Sequence, residues 1–185
     1  MNSAWEGLKS DCTDCRRCSL GYVRKNVVIG RGNANAKMMI IGEGPGEQED
    51  EQGLPFVGRA GQLLDLILKG MMFTAQDYYI ANILKCRPPG NRVPSSEEVV
   101  ACLGFLRVQV RLVKPRIIIC LGATAAKYIL NTNEGITKIR GSSHESKGFL
   151  IFPTFHPAAL LRDESKKSVI WEDFKKIRQA FDKIS

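Results

Sequence analysis

Cys12, Cys15, Cys18, Cys86 and Cys102 are the first residues in this chain that could do chemistry. Thiols in a chain without export signals point to metal binding or catalysis before disulfides. Cys120 differs, because it ends the apolar run Ile117-Ile118-Ile119-Cys120-Leu121 and reads as a small core hydrophobe. A second chemically able stretch is Gly42-Glu43-Gly44-Pro45-Gly46-Glu47, directly after four bulky apolar residues. Glycines at a strand's end suggest a phosphate cradle. Here, however, Glu47, Glu49, Asp50 and Glu51 follow, and neither the later glycine of a dinucleotide fold nor a Gly-Lys-Ser/Thr is present. The acids would repel a pyrophosphate, which argues against a nucleotide cofactor. A third stretch, Lys85-Cys86-Arg87-Pro88-Pro89-Gly90-Asn91-Arg92, is too broken by proline and glycine for regular structure and forms a basic loop.

Regular elements must position these stretches. The pattern predicts a first helix within residues 3–20 that breaks into the cysteine-bearing turn, then a short strand at 27–30. Residues 37–41 are apolar without alternation, as in a strand covered on both faces. Leu63, Leu64, Ile67 and Leu68 have helical spacing, and 78–84 is the next strand. Ser95 and Glu98 form a capping box that starts a helix running to about Val113. Residues 116–121 make a third strand, a helix follows Gly122, and a fourth strand at 149–152 is broken by Pro153. Ile170, Phe174, Ile177 and Phe181 mark a closing amphipathic helix. Strands alternating with helices imply a parallel sheet with helices on both faces. The loops 42–57, 85–94 and 153–162 then share the carboxyl edge of the sheet and line one crevice.

At 185 residues the chain is read as one domain, 1–185, of ordinary composition: 44% hydrophobic and 25% charged. It lacks both a membrane-length apolar run and the basic and apolar regions of a signal peptide at Met1-Asn2-Ser3-Ala4-Trp5-Glu6, so a cytoplasmic protein without membrane contact is expected. Lys and Arg number 27 against 19 acids, and the formal charge of +8 favours a polyanionic partner.

Four motifs together, Gly42-Glu43-Gly44-Pro45-Gly46-Glu47, Leu54-Pro55-Phe56-Val57-Gly58-Arg59-Ala60-Gly61, Asn82-Ile83-Leu84-Lys85-Cys86-Arg87-Pro88-Pro89 and His156-Pro157-Ala158-Ala159-Leu160-Leu161-Arg162, resemble the iron–sulfur branch of the uracil-DNA glycosylases, usually called family 4. With the cysteines, the likeness spans residues 15–162. It implies a three-layer α/β/α sandwich around a short parallel sheet, and an enzyme that flips uracil out of DNA and hydrolyses its N-glycosidic bond; separately, a monomer is expected. The products are free uracil and an abasic site. A replication clamp or a polymerase is a candidate recruiting partner.

The resemblance also implies site residues. Cys15, Cys18, Cys86 and Cys102 match the ligands of a [4Fe–4S] cluster; zinc is the rival for four thiolates, and Cys12 offers a competing Cys-x-x-Cys pair with Cys15. Phe56 would stack on the extruded base. Asn82 would read uracil O4 and N3–H, a pattern that cytosine reverses. His156 would donate to O2, where negative charge gathers as the bond stretches. Gly42, Glu43 and Gly44 would wall the pocket, with Glu43 near the attacked sugar carbon. Gly44 stands where better-known relatives carry an Asp, so an obvious water-activating base is missing. Glu49 is expected on the C5 side of the base. Lys85, Arg87 and Arg162 would meet the DNA backbone, and Leu160 and Leu161 would wedge the vacated stack. His144 is expected on an exposed turn.

Overall fold

The computed structural model describes residues 2–184, Asn2 by its backbone alone, so Met1 of the amino-terminal stretch read above lies outside it. Among these residues β1 (Arg31–Gly32), β2 (Met38–Gly42), β3 (Tyr78–Asn82), β4 (Ile117–Leu121), β5 (His144–Ser146) and β6 (Phe149–Thr154) form one sheet in the order β1-β3-β2-β4-β6-β5. The central strands β3, β2, β4 and β6 are parallel. The two short edge strands, β1 on β3 and β5 on β6, are antiparallel.

Side chains leave a strand on alternate faces, and β2 uses both for burial. Met39 and Ile41 join a core with Ile118 and Cys120, closed by α1 (Asn2–Asp14), α5 (Ser96–Val113) and α6 (Ala123–Leu130). Met38 and Ile40 join the opposite core with Ile117 and Ile119. That core is closed by α4 (Arg59–Gly70), α8 (Pro157–Arg162) and α9 (Lys166–Ile184), the last through Ile170, Phe174, Ile177 and Phe181. Helices thus cover both faces, as the alternation predicts. Ser95 and Glu98 do form a capping box at the start of α5. No described helix is long and apolar enough to cross a membrane.

Four local readings need correction. Residues 27–30 form no strand: Val28 N–H donates to Lys85 O at 2.8 Å, which binds the segment to the loop after β3 and leaves the edge position to β1. Pro153 does not break β6 but lies within it. Its carbonyl accepts from Gly141 N–H, beyond the end of β5, so the proton it lacks points to the same unladdered edge. The acids after Gly46 form a helix, α3 (Glu47–Gln52), whose first turn favours negative charge. His144 is half-buried in β5 and paired with Ser142 Oγ at 3.0 Å.

One polar network locks α9 to the strand that leads to His156. Asp173 is 1% exposed, accepts from Thr154 Oγ1 at 2.6 Å and from Arg140 Nε at 2.9 Å, and also accepts from Arg140 Nη2. Removing one partner of a buried pair strands the others without compensation. Asp173→Ala should therefore lower unfolding free energy by about 3 kcal/mol, read as a drop in the urea midpoint.

Candidate functional site

The carboxyl ends of β2, β3, β4 and β6 meet at one edge. Gly42 pairs with Asn82 in the parallel ladder, and the pairing continues past both strands, with Ile83 N–H on Gly42 O at 2.9 Å and Leu84 N–H on Glu43 O at 3.0 Å. Asn82 is 2% exposed, and its Oδ1 is buried without a hydrogen-bond partner among the described residues. A Cβ on Gly42 would stand 2.5 Å from that oxygen and 2.7 Å from Phe56 Cζ. The missing side chain is what lets Asn82 and Phe56 converge.

Phe56 sits in left-handed backbone at φ 55, which a bulky residue adopts only under constraint. Three neighbours supply it. Gly61 lies so close that a Cβ there would stand 1.9 Å from Phe56 O. Arg31 donates to Pro55 O at 3.0 Å and to Phe56 O at 3.3 Å while paired to Asp65 at 2.7 Å. Glu49 accepts from Val57 and Gly58 N–H at 2.9 and 2.8 Å with one oxygen, and from Gly46 N–H at 3.1 Å with the other. Glu49 is thus a strut between the glycine loop and the Phe56 loop, with both oxygens engaged.

The Phe56 ring stacks on His156, with centroids 5.5 Å apart and planes at 27°. His156 is the N-cap of α8, and its Nδ1 accepts from Ala158 N–H at 3.1 Å. The proton of the neutral ring therefore resides on Nε2, leaving that N–H free to donate. Burial, reinforced by the Arg162 cation and opposed by Glu49, pulls the His156 pKa down to about 4. The ring is a neutral donor at physiological pH. Pro157 at the first helical position holds His156 extended and pre-sets the helix.

Glu43 is half-buried and accepts a hydrogen bond from Thr124 Oγ1, in the first turn of α6. Sequence reasoning missed Thr124; its only local signal is a hydroxyl two residues after the strand-end Gly122. Gly44 has room: a Cβ would meet Leu84 Cβ at 3.4 Å, an ordinary contact. Space therefore does not forbid a Cβ there.

Two expected backbone and wedge contacts are corrected. Lys85 is 1% exposed and points inward, so it cannot reach a DNA phosphate; Leu160 is 4% exposed and belongs to the core under α8. Leu161 and Arg162 are exposed at the end of the same helix. Arg87 is half-buried, donating to Asn91 Oδ1 at 2.8 Å and reaching Glu47 at 3.4 Å.

Behind β3 lies a second constellation. Cys12, Cys15, Cys18, Cys86 and Cys102 line a single cavity together with Arg24 and Lys85. Lys85 N–H donates to Cys102 Sγ at 3.2 Å and Arg24 Nη1 to Cys86 Sγ at 3.0 Å. Arg24 is 62 residues from Cys86 in sequence, and no local signal announces it. Among the described residues no three His, Cys, Asp or Glu side chains close on a point that would hold a single metal ion. Cys120 is fully buried in the same core, on β4, and is not among the residues that line this cavity.

The family model described as the uracil DNA glycosylase superfamily matches residues 29–175. The type-4 uracil-DNA glycosylase of Sulfurisphaera tokodaii is 41% identical over 183 residues, covering 94% of this chain and 83% of the relative. That of Thermotoga maritima is 44% identical over 168 residues, covering 89% and 88%. A type-5 enzyme from Pyrobaculum aerophilum is more distant, at 30% identity over 146 residues and 70% and 64% coverage.

The state of His156 has a measurable consequence for stability. Its folded pKa of about 4 lies below the ordinary 6.5, so the unfolded chain takes up the proton first as pH falls. The contribution to stability is intact above pH 6.5 and declines toward pH 4. The difference in urea midpoint between the wild type and His156→Gln should shrink over that interval and hold steady from pH 7 to 8.

Proposed function

The chain belongs to the uracil DNA glycosylase superfamily and is a glycosylase, and on that premise we propose that it excises uracil from DNA as one domain spanning residues 1–185. The hydrolysis leaves free uracil and an abasic site. The observation that carries the reading is the buried, unpartnered Oδ1 of Asn82 at the head of the crevice. A buried acceptor left alone costs about 1–3 kcal/mol, and uracil N3–H supplies the missing donor. The same amide's Nδ2 donates to O4. Cytosine presents an acceptor at N3 and donors at N4, so it mismatches both groups.

The remaining residues divide the work of extruding and cleaving a base. Phe56 stacks on the ring. His156 Nε2–H donates to O2 as the N-glycosidic bond lengthens and negative charge moves onto the leaving uracil. A preorganised donor of this kind is worth roughly 10²–10³ in rate. Because the donor is neutral beforehand, it keeps its proton and stabilises the anion by hydrogen bonding. Glu43, held by Thr124, orients water at the sugar carbon. With Gly44 in place of an acid, departure of uracil leads and water follows. Leu161 enters the vacated stack, while Arg162 and Arg87 face the phosphates. The work belongs in the cytoplasm, with uracil-containing DNA as substrate.

The thiol cavity supports a second part of the reading, a [4Fe–4S] cluster on Cys15, Cys18, Cys86 and Cys102. A four-iron cluster binds each thiolate to a different iron, so the sulfurs need not converge on one point. The N–H groups of Lys85 and Arg24 already aim at two of the sulfurs, as hydrogen bonds to cluster thiolates do. When bound, the cluster supplies a structural tie between the segment after α1, the Arg87 loop and α5.

Incubation with an oligonucleotide carrying one uracil, then alkali, should break the strand at that base and leave a cytosine control intact. No break, or a denaturant-resistant protein–DNA adduct instead of turnover, would overturn the reading. Asn82→Asp should narrow the preference for uracil over cytosine. Gly42→Ala, which pushes a methyl between Asn82 and Phe56, should slow excision by about 10² while the circular dichroism spectrum stays unchanged.

A further inference from the structure

Lys85 is among the largest fully buried side chains of the protein, at 1% exposure. Its ammonium donates to Asn82 O at 2.7 Å, and its backbone N–H donates to Cys102 Sγ at 3.2 Å. No ion pair among the described residues includes it. One neutral carbonyl does not compensate a buried charge with three donors. The ionisable groups facing it are the thiols of Cys102, Cys12 and Cys86.

We propose that Lys85 is the counter-cation of the thiolate-bound cluster and a positioning residue for Asn82, so that filling the thiol cavity fixes the amide that reads uracil. The inference rests on the cluster reading above. Four thiolates outweigh the charge of the iron–sulfur core and leave roughly −2, which an ammonium lining the same cavity offsets. Arg24 also touches a cluster thiol, but its other bonds go to Thr13 O and Cys15 O, and it does not reach β3. Among the described residues, Lys85 is the one that hydrogen-bonds to both a cluster ligand and the reader. Its side chain closes the turn 82–85 back onto the Asn82 carbonyl, one bond from the Cα that carries the reading amide, and so restrains the backbone from which that amide projects. An empty cavity leaves the ammonium without its counter-charge, and the turn that holds Asn82 loosens with it.

The test uses the full-length protein purified without oxygen, with Lys85→Met and Lys85→Gln. Iron and acid-labile sulfide per chain, the rate of cluster loss to a chelator, and the Kd for free uracil are measured on each. Lys85→Met should lose visible absorbance about tenfold faster and bind uracil about tenfold more weakly. Lys85→Gln lacks the charge but keeps a donor for Asn82 O, so it should lose the cluster as fast yet bind uracil nearly as well as the wild type. Variants that match the wild type in both measurements would overturn the proposal. If neither variant folds, the wild type decides: stripping its cluster should weaken uracil binding about tenfold and speed hydrogen exchange at Ile83 and Leu84, and no change would overturn it. A wild type without iron and sulfide would sink the cluster reading itself.

Discussion

Gly42 and Asn82 lie side by side in a parallel ladder, and the crevice depends on what Gly42 lacks. Any Cβ there would overlap both Asn82 Oδ1 and the Phe56 ring. The sheet register sets this contact: β2 and β3 end level, so the glycine loop leaves β2 beside Asn82. The carboxyl ends of β4 and β6 bring Gly122, Thr124 and His156 to the same edge. Gly122, at φ 89, adopts backbone that favours glycine, and a Cβ there would crowd His156 Cβ at 3.2 Å.

Around that contact the candidate site is held by hydrogen bonds between its own segments. Glu49 ties two loops through three backbone N–H groups, Thr124 holds Glu43, Ala158 N–H fixes the imidazole tautomer, and Asp173 anchors the strand leading to His156. The result is a pocket whose polar atoms are oriented before a ligand arrives. In the proposed reading, donors of this kind stabilise a departing anion, because groups already in place need no reorganisation when charge develops. The room left at Gly44 makes the same point. A Cβ there would meet Leu84 only at 3.4 Å or beyond, and the chain carries none.

Much of this architecture was legible in the sequence for definite reasons. Residues 38–41 and 117–121 are apolar on both faces because helices cover both sides of the sheet, and Ser95 with Glu98 signals its helix through local hydrogen bonds alone. The grouping of Asn82, Phe56 and His156 followed from motifs at strand ends. What stayed hidden depends on contacts between distant segments. Lys85 reads as a solvated cation in a basic loop, yet the cysteine cavity draws it inward. Leu160 and Leu161 are indistinguishable by type, and only the phase of α8 decides which one is buried. Glu43 and Thr124 meet across 81 residues, which no local pattern can reveal.

The central claim is that Asn82 Oδ1 awaits an N3–H donor. Titration with free uracil and with 3-methyluracil, which differ at that position by one methyl in place of the proton, tests it most directly. Uracil should bind at least tenfold more tightly, since the methylated base leaves the buried acceptor unpaired and adds bulk against it. Equal affinity for the two bases would contradict the account.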